Sequence, residues 1–135
     1  MIKPSAVAAG HIGGIVAAVE DAGFTIVGLT AKTMTTDEAR RFYAMHEGKE
    51  FYEPLIEYMT SGMTVGLMLE ADDAVALLRR TVGETDPAEA AEGTIRARFG
   101  ETLRRNAVHA SDSPESVRHE AGVYFGDCRR AVDGE

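Results

Sequence analysis

Apolar residues recur at Ile12, Ile15, Val16 and Val19, the spacing of one helix face, and Gly23 closes that run. Residues 24–33, FTIVGLTAKT, are rich in β-branched side chains and predict a strand. Thr35 and Glu38 form a Thr-x-x-Glu capping box that predicts a helix to about His46. Residues 53–62 predict a short helix, with Pro54 at its first position and Gly62 as a stop. Residues 63–70, MTVGLMLE, predict a second strand. Asp72 is then placed to cap a helix whose apolar face holds Ala74, Val75, Leu78 and Val82. From Gly83 to about Gly100 no period is visible, and connections of that length are usually functional or disordered. NAVHA (106–110) predicts a short strand, and Ser113 with Pro114 opens a last helix to about Phe125. MIKP at the front reads as the stub of another strand. This order predicts an α/β (α+β) sandwich: an antiparallel sheet with helices on one face. The plan is ferredoxin-like, βαββαβ, with extra helices and a truncated first strand.

Composition narrows the class. A chain of 135 residues is read as one domain, 1–135, and 44% hydrophobic with 27% charged residues is ordinary for a globular protein. No apolar run approaches the ~20 residues that span a membrane. The N-terminal MIKPSAVAAG lacks the charged and apolar regions of a secretion signal. Cys128 is the only cysteine, which makes a cytoplasmic location the default expectation. The net charge of −8 argues against broad nucleic-acid binding. Arginine dominates the basic residues, with Lys3, Lys32 and Lys49 the only lysines. A guanidinium fork suits bidentate phosphate contacts, although genome composition alone also yields such a bias.

The chemistry concentrates near the last helix. Its apolar stripe is read as Val117, Ala121 and Tyr124, and Glu120 falls on that stripe where an apolar residue belongs. A buried carboxylate needs a partner, and His109 is the nearest candidate along the chain. A carboxylate that accepts one ring N–H fixes the tautomer and leaves the other nitrogen a free lone pair. Periodicity equally allows Glu120 to sit at the stripe's edge and reach solvent. Ser111, Asp112 and Ser113 follow His109 at the helix start, where anions are favoured. Asn106, the only asparagine in a chain without glutamine, lies three residues before His109. The four histidines His11, His46, His109 and His119 show no metal-ligand spacing. GHIGG (10–14) is not a dinucleotide fingerprint.

NAVHASDSPESVRHEAGVYF resembles the active-site signature of the nucleoside diphosphate kinases, Asn-x-x-His-Gly/Ala-Ser-Asp-Ser. IKPSAV is similar to their Ile-Lys-Pro-Asp-Ala/Gly-Val motif, and GETDPAEAAEGTIR to their Gly-x-Thr-Asn/Asp-Pro…Gly-Thr-Ile-Arg loop. The resemblance runs from residue 2 to about 125, with the motifs in order. It implies transfer of the γ-phosphate of a nucleoside triphosphate to a nucleoside diphosphate, by a ping-pong route through a phosphohistidine at His109. By the same resemblance, Glu120 orients the ring and Ser111 bonds the glutamate. Lys3, Arg79, Thr85 and Arg96 match the phosphate contacts, and Tyr43 the tyrosine beside the histidine. Asn106 with Lys3 matches the ribose contacts, Phe51 the aromatic under the base, and Leu55 and Leu103 the frame of the base slot. Asp112 matches the aspartate near a Mg²⁺ that is held mainly by the nucleotide phosphates. Broad base specificity and a homo-oligomer, a tetramer or hexamer built from dimers, are also implied.

The chain departs from that pattern at Ser5, where the family usually has Asp, at Lys49-Glu50 before the aromatic, and at Met63 after Ser-Gly. Only Met1 and Ile2 precede Lys3, so Lys3 is expected to be held less firmly than in the family. The clipped strand leaves open an alternative: a catalytically weak nucleotide-binding or scaffold member of the same fold. From the residues alone, Arg79 and Arg80 could be a solvated helix face and Phe51 a core side chain.

Overall fold

The computed structural model describes residues 1–126; the expectation attached to Cys128 lies outside them. The sheet's regular part is an antiparallel pair, β1 (Thr25–Lys32) and β2 (Thr64–Glu70), with a register shift between Ile26 and Gly28. Ile2 adds one bridge to Val65 and another to Val108, both antiparallel. The spatial order is therefore β1, β2, Ile2, Val108, with the first segment inside the sheet as the ferredoxin-like plan requires. NAVHA is reduced from a strand to that one bridge, because only Met1 to Lys3 lie opposite it: Lys3 N–H donates to the Ala107 carbonyl and His109 N–H to that of Met1.

Seven helices surround this sheet among the described residues: α1 (Pro4–Ala8), α2 (Ile12–Asp21), α3 (Thr36–Phe42), α4 (Tyr52–Met59), α5 (Ala74–Val82), α6 (Ile95–Phe99) and α7 (Pro114–Phe125). The pleat divides them. Val65 packs with Ile15, Val19, Val82 and Ile95, whereas its neighbours Thr64 and Gly66 meet Tyr124 of α7. A Cβ on Gly66 would sit inside the Tyr124 ring, so α7 rests directly on the β2 backbone. Helices therefore cover both faces of the sheet, not one. Met34, Phe42, Tyr52, Ile56 and Met59 complete the second core around Tyr124.

Local chemistry explains where elements differ from the sequence pattern. The Thr35–Glu38 capping box forms, but α3 ends at Phe42, and Ala44–His46 is a 3₁₀ turn. Helix α4 starts at Tyr52, which puts Pro54 at its third position. Helix α5 is entered through Asp73, a left-handed residue at φ 50°, without a side-chain cap from Asp72. The 83–100 segment is ordered by two short pieces. Asp86 caps a 3₁₀ turn at Pro87–Glu89, and Thr94 caps α6. A five-residue helix is too short to show a period in sequence. Helix α7 buries Ser116, Glu120, Ala121 and Tyr124, while Val117 is exposed.

Candidate active site

Ser113 caps α7, and Ala107, at φ 76°, turns the chain that leads into it. His109 is thereby set beside the first turns of α7. Its Nε2 lies 2.5 Å from Glu120 Oε1, and the Ser111 hydroxyl donates to the same oxygen at 2.8 Å. Glu120 is 6% exposed, so the off-pattern carboxylate is buried and partnered. Burial pulls the His109 pKa down against the opposing pull of Glu120. Burial pushes Glu120 up, but the bond and charge of His109, with Ser111, leave it below the usual carboxylate value. Near neutrality the pair is thus imidazole and carboxylate, with Nε2–H donating and Nδ1 carrying the lone pair. Phe42 and Tyr43 pack edge-on against the ring, at centroid distances of 5.0 and 5.6 Å.

His109 forms one wall of an open cleft of about 990 Å³. Lys3, Tyr43, Phe51, Leu55, Arg79, Thr85, Arg96, Leu103, Asn106 and Asp112 also line it. Every residue singled out by the resemblance is brought to this cleft except Glu120 and Ser111, which bond to each other and, through Glu120, to His109. Lys3 donates to Asn106 Oδ1 at 2.8 Å and to the Arg104 carbonyl at 3.3 Å, and it is 7% exposed. Two bonds from the 104–106 segment therefore fix Lys3 even though only two residues precede it. Burial, with the Arg96 charge, lowers its pKa to about 8. Asn106 in turn donates from Nδ2 to the Thr85 carbonyl at 2.9 Å.

Arg96, carried by α6, donates to the carbonyls of Gly83 (3.1 Å) and Val108 (2.9 Å), which ties the 83–100 segment to the histidine-bearing strand. Its Nε and the Tyr43 hydroxyl are buried without a hydrogen-bond partner. Orphaned polar groups are costly and rare, and two of them on residues lining one cleft point to a polar ligand there. Arg79 and Thr85 are exposed at the same rim. At the other end Phe51, 42% exposed, precedes α4, Leu55 follows one turn on, and Leu103 is 61% exposed. An apolar slot thus adjoins a basic pocket. Asp112 is exposed and accepts from the Ser116 hydroxyl at 2.6 Å, which lowers its pKa.

His46, Arg80, Glu84 and Arg104 line the cleft as well and carried no signal of their own in the sequence. His46 lies three residues after Tyr43, one 3₁₀ turn on, with the two rings stacked at 6.3 Å and Phe51 at 5.1 Å from it. The three-residue spacing from Tyr43, which puts the two on one face of a helix reaching His46, is the signal the sequence holds for it. Among the described residues no cluster of three His, Cys, Asp or Glu side chains is placed to hold a metal ion by itself. No helix among them is long and apolar enough to cross a membrane.

Comparison with known proteins identifies the family. The family model for nucleoside diphosphate kinase matches residues 1–129. The nucleoside diphosphate kinase of Kosmotoga olearia is 44% identical over 98% of this chain and 89% of its own length. That of Psychromonas ingrahamii is 47% identical over 98% of this chain and 94% of its own. Among solved structures, the Aquifex aeolicus nucleoside diphosphate kinase superimposes with a TM-score of 0.91 at 38% identity, covering 94% of this chain and 92% of that one. The halophilic nucleoside diphosphate kinase of Halobacterium salinarum, solved in complex with CDP, gives 0.87 at 35% identity over 94% and 85%. The chain therefore belongs to the nucleoside diphosphate kinase family, and with it to the phosphotransferases.

Proposed function

We propose that this family member moves the γ-phosphate of a nucleoside triphosphate to a nucleoside diphosphate through a phosphohistidine at His109. The observation that carries the reading is the Nε2 bond from His109 to buried Glu120, which leaves Nδ1 as the nucleophile on a residue lining the cleft. In the first half-reaction the Nδ1 lone pair attacks the γ-phosphorus. The bond from that phosphorus to the β–γ bridging oxygen breaks, and the diphosphate departs with the electron pair. In the second, a terminal β-phosphate oxygen of another diphosphate attacks, and the P–N pair returns to Nδ1. Glu120 holds the tautomer and stabilises the positive ring, while Ser111 holds Glu120. Such transfer depends mostly on positioning and charge, which Arg79, Arg96, Lys3, Thr85 and the Tyr43 hydroxyl supply.

Lys3 and Asn106 take the ribose, and Phe51, Leu55 and Leu103 frame the base. Stacking offers no edge readout, so purines and pyrimidines are both accepted. Mg²⁺ suits the cleft as a guest of the nucleotide: Asp112 and Glu84 are its lined acids, too few to hold the ion without phosphate oxygens. When bound, the ion neutralises phosphate charge. The reading extends to a single domain, a cytoplasmic setting, and a tetramer or hexamer built from dimers. The intact His109–Glu120–Ser111 arrangement favours an enzyme over a catalytically weak scaffold.

The test is labelling with γ-labelled ATP. Label should appear on histidine, and GDP, UDP and CDP should each remove it at rates within about tenfold of one another, because stacking differences amount to only a kcal/mol or two. His109→Ala should take no label while melting like the parent chain. Label retained in His109→Ala would refute the assignment.

A further inference from the structure

Tyr58 stands on α4 one turn beyond Leu55, half-buried, and outside the cleft lining. Its hydroxyl accepts from the Ser5 backbone N–H at 3.2 Å and shares a 2.5 Å hydrogen bond with the Ser5 hydroxyl. Helix α1 has no side-chain cap of its own, since Lys3 occupies the N-cap position and Pro4 has no N–H. Ser5 N–H is therefore an orphan donor of the first turn, and a phenol from another helix fills the capping role. Over the face of the same ring lies the Arg105 guanidinium, 5.6 Å from its centroid. Arg105 closes the 101–105 loop: its carbonyl accepts from Glu101 and Thr102 N–H, and its own N–H donates to the Thr102 hydroxyl.

One side chain thus joins three separate parts of the chain. Helix α4 carries Leu55 and is entered through Phe51 at its N-cap, the segment before Ser5 carries Lys3, and the 101–106 loop carries Leu103 and Asn106. We propose that Tyr58 is a positioning residue that sets the base platform of α4 against the Lys3–Asn106 ribose clamp, and so controls how tightly the nucleoside is held. The inference rests on the assignment of those residues to base and ribose. Tyr58 touches neither His109 nor Glu120 by any hydrogen bond, so its influence falls on nucleoside binding and not on the phosphoryl step.

The division can be measured. Tyr58→Phe keeps the ring under Arg105 and loses the cap on Ser5; Tyr58→Leu loses both. KM for the nucleoside triphosphate should rise about threefold to tenfold in Tyr58→Phe and further in Tyr58→Leu, with kcat within about twofold, the signature of lost uniform binding. Phosphoramidate, a phosphoryl donor without a nucleoside, should label His109 at the parent rate in both variants. A parent KM in well-folded Tyr58→Phe would overturn the proposal, and so would a fall in kcat or in phosphoramidate labelling at constant KM. Tyr58→Phe decides the question even if Tyr58→Leu does not fold. Failure of the parent chain to take label from ATP would count against the functional reading instead.

Discussion

At the scale of single residues, the pKa directions of His109 and Glu120 decide what the pair does. Glu120 stays ionised despite burial, and His109 is held below its usual 6.5 despite the carboxylate. The ring is then neutral with Nδ1 free down to pH values below 6.5, so the acid limb of ATP-dependent labelling should have its midpoint below that value. Stability follows the same signs. As pH falls through about 6.5 the unfolded chain takes up the proton first, so the fold weakens, and the contribution of Glu120 is lost lower still, as pH falls through its depressed folded value. Glu120→Gln removes the charge that raises His109. Its acid limb should shift to lower pH, while the plateau rate drops about tenfold to a hundredfold because an amide no longer dictates the tautomer. The bonds from His109 and Ser111 would also lose their charged acceptor, which costs about 1 kcal/mol or more. An unchanged plateau, or a limb moved to higher pH, would exclude this role for the carboxylate. Glu120 was legible in the sequence as a charge on an apolar stripe. Val117 departs from the expected stripe because the Tyr124 ring rests on the β2 backbone at Gly66, which turns Ser116, Glu120 and Ala121 inward and leaves Val117 exposed.

At the scale of elements, the helices with two or more turns and a cap were readable, and the short pieces were not. The capping box of α3 and the Ser113–Pro114 start of α7 are local chemistry, decided within four residues. Helix α6 is capped locally by Thr94 but is too short to show a period, and it is tied to the fold by the tertiary bonds of Arg96, which no local pattern encodes. Arg96 therefore has two tasks, holding the 83–100 segment to the Val108 strand and presenting an unpaired Nε beside the cleft. A lysine keeps the charge but cannot fork to two carbonyls and still offer a donor. Arg96→Lys should lower the melting temperature by several degrees and raise KM for the triphosphate about tenfold or more, measured by thermal melts and initial rates. Unchanged melting would mean that the Gly83 and Val108 bonds do not anchor the loop.

At the scale of the whole molecule, the sheet holds a slot beside Met1. A second, mostly apolar cavity of about 140 Å³ lies beyond Met1, lined by Leu67 and Leu69 of β2, by Ala110 and Ser111, and by Ile15, Leu78, Val117 and Phe125 from helices around it. Val65 exchanges both backbone bonds with Ile2, so the backbone groups of Leu67 and Leu69 face the same slot by the two-residue repeat of a strand. Met1 closes the near end with its terminal nitrogen, which donates to the His109 carbonyl at 2.8 Å. Burial drives that group's pKa from 8.0 to about 5. In a protein whose first residue is Met1 with a free amine, the unfolded chain binds the proton between these values and the folded chain does not, so stability should rise with pH from 5 to 8. Five residues of alternating β-branched and polar character added ahead of Met1 would extend the central strand by ~16 Å, pair with both neighbours and turn the amine into an amide. At about 1 kcal/mol per restored bond the gain is on the order of 3 kcal/mol, or roughly 10 °C in melting temperature. The rise in stability from pH 5 to 8 should become shallower, because the amine no longer titrates and His109 is left to carry the slope. His109 shares its backbone with the slot, so tighter nucleotide binding should accompany the gain. An extension that leaves both the melting temperature and the pH slope unchanged would show that the slot does not accept a strand.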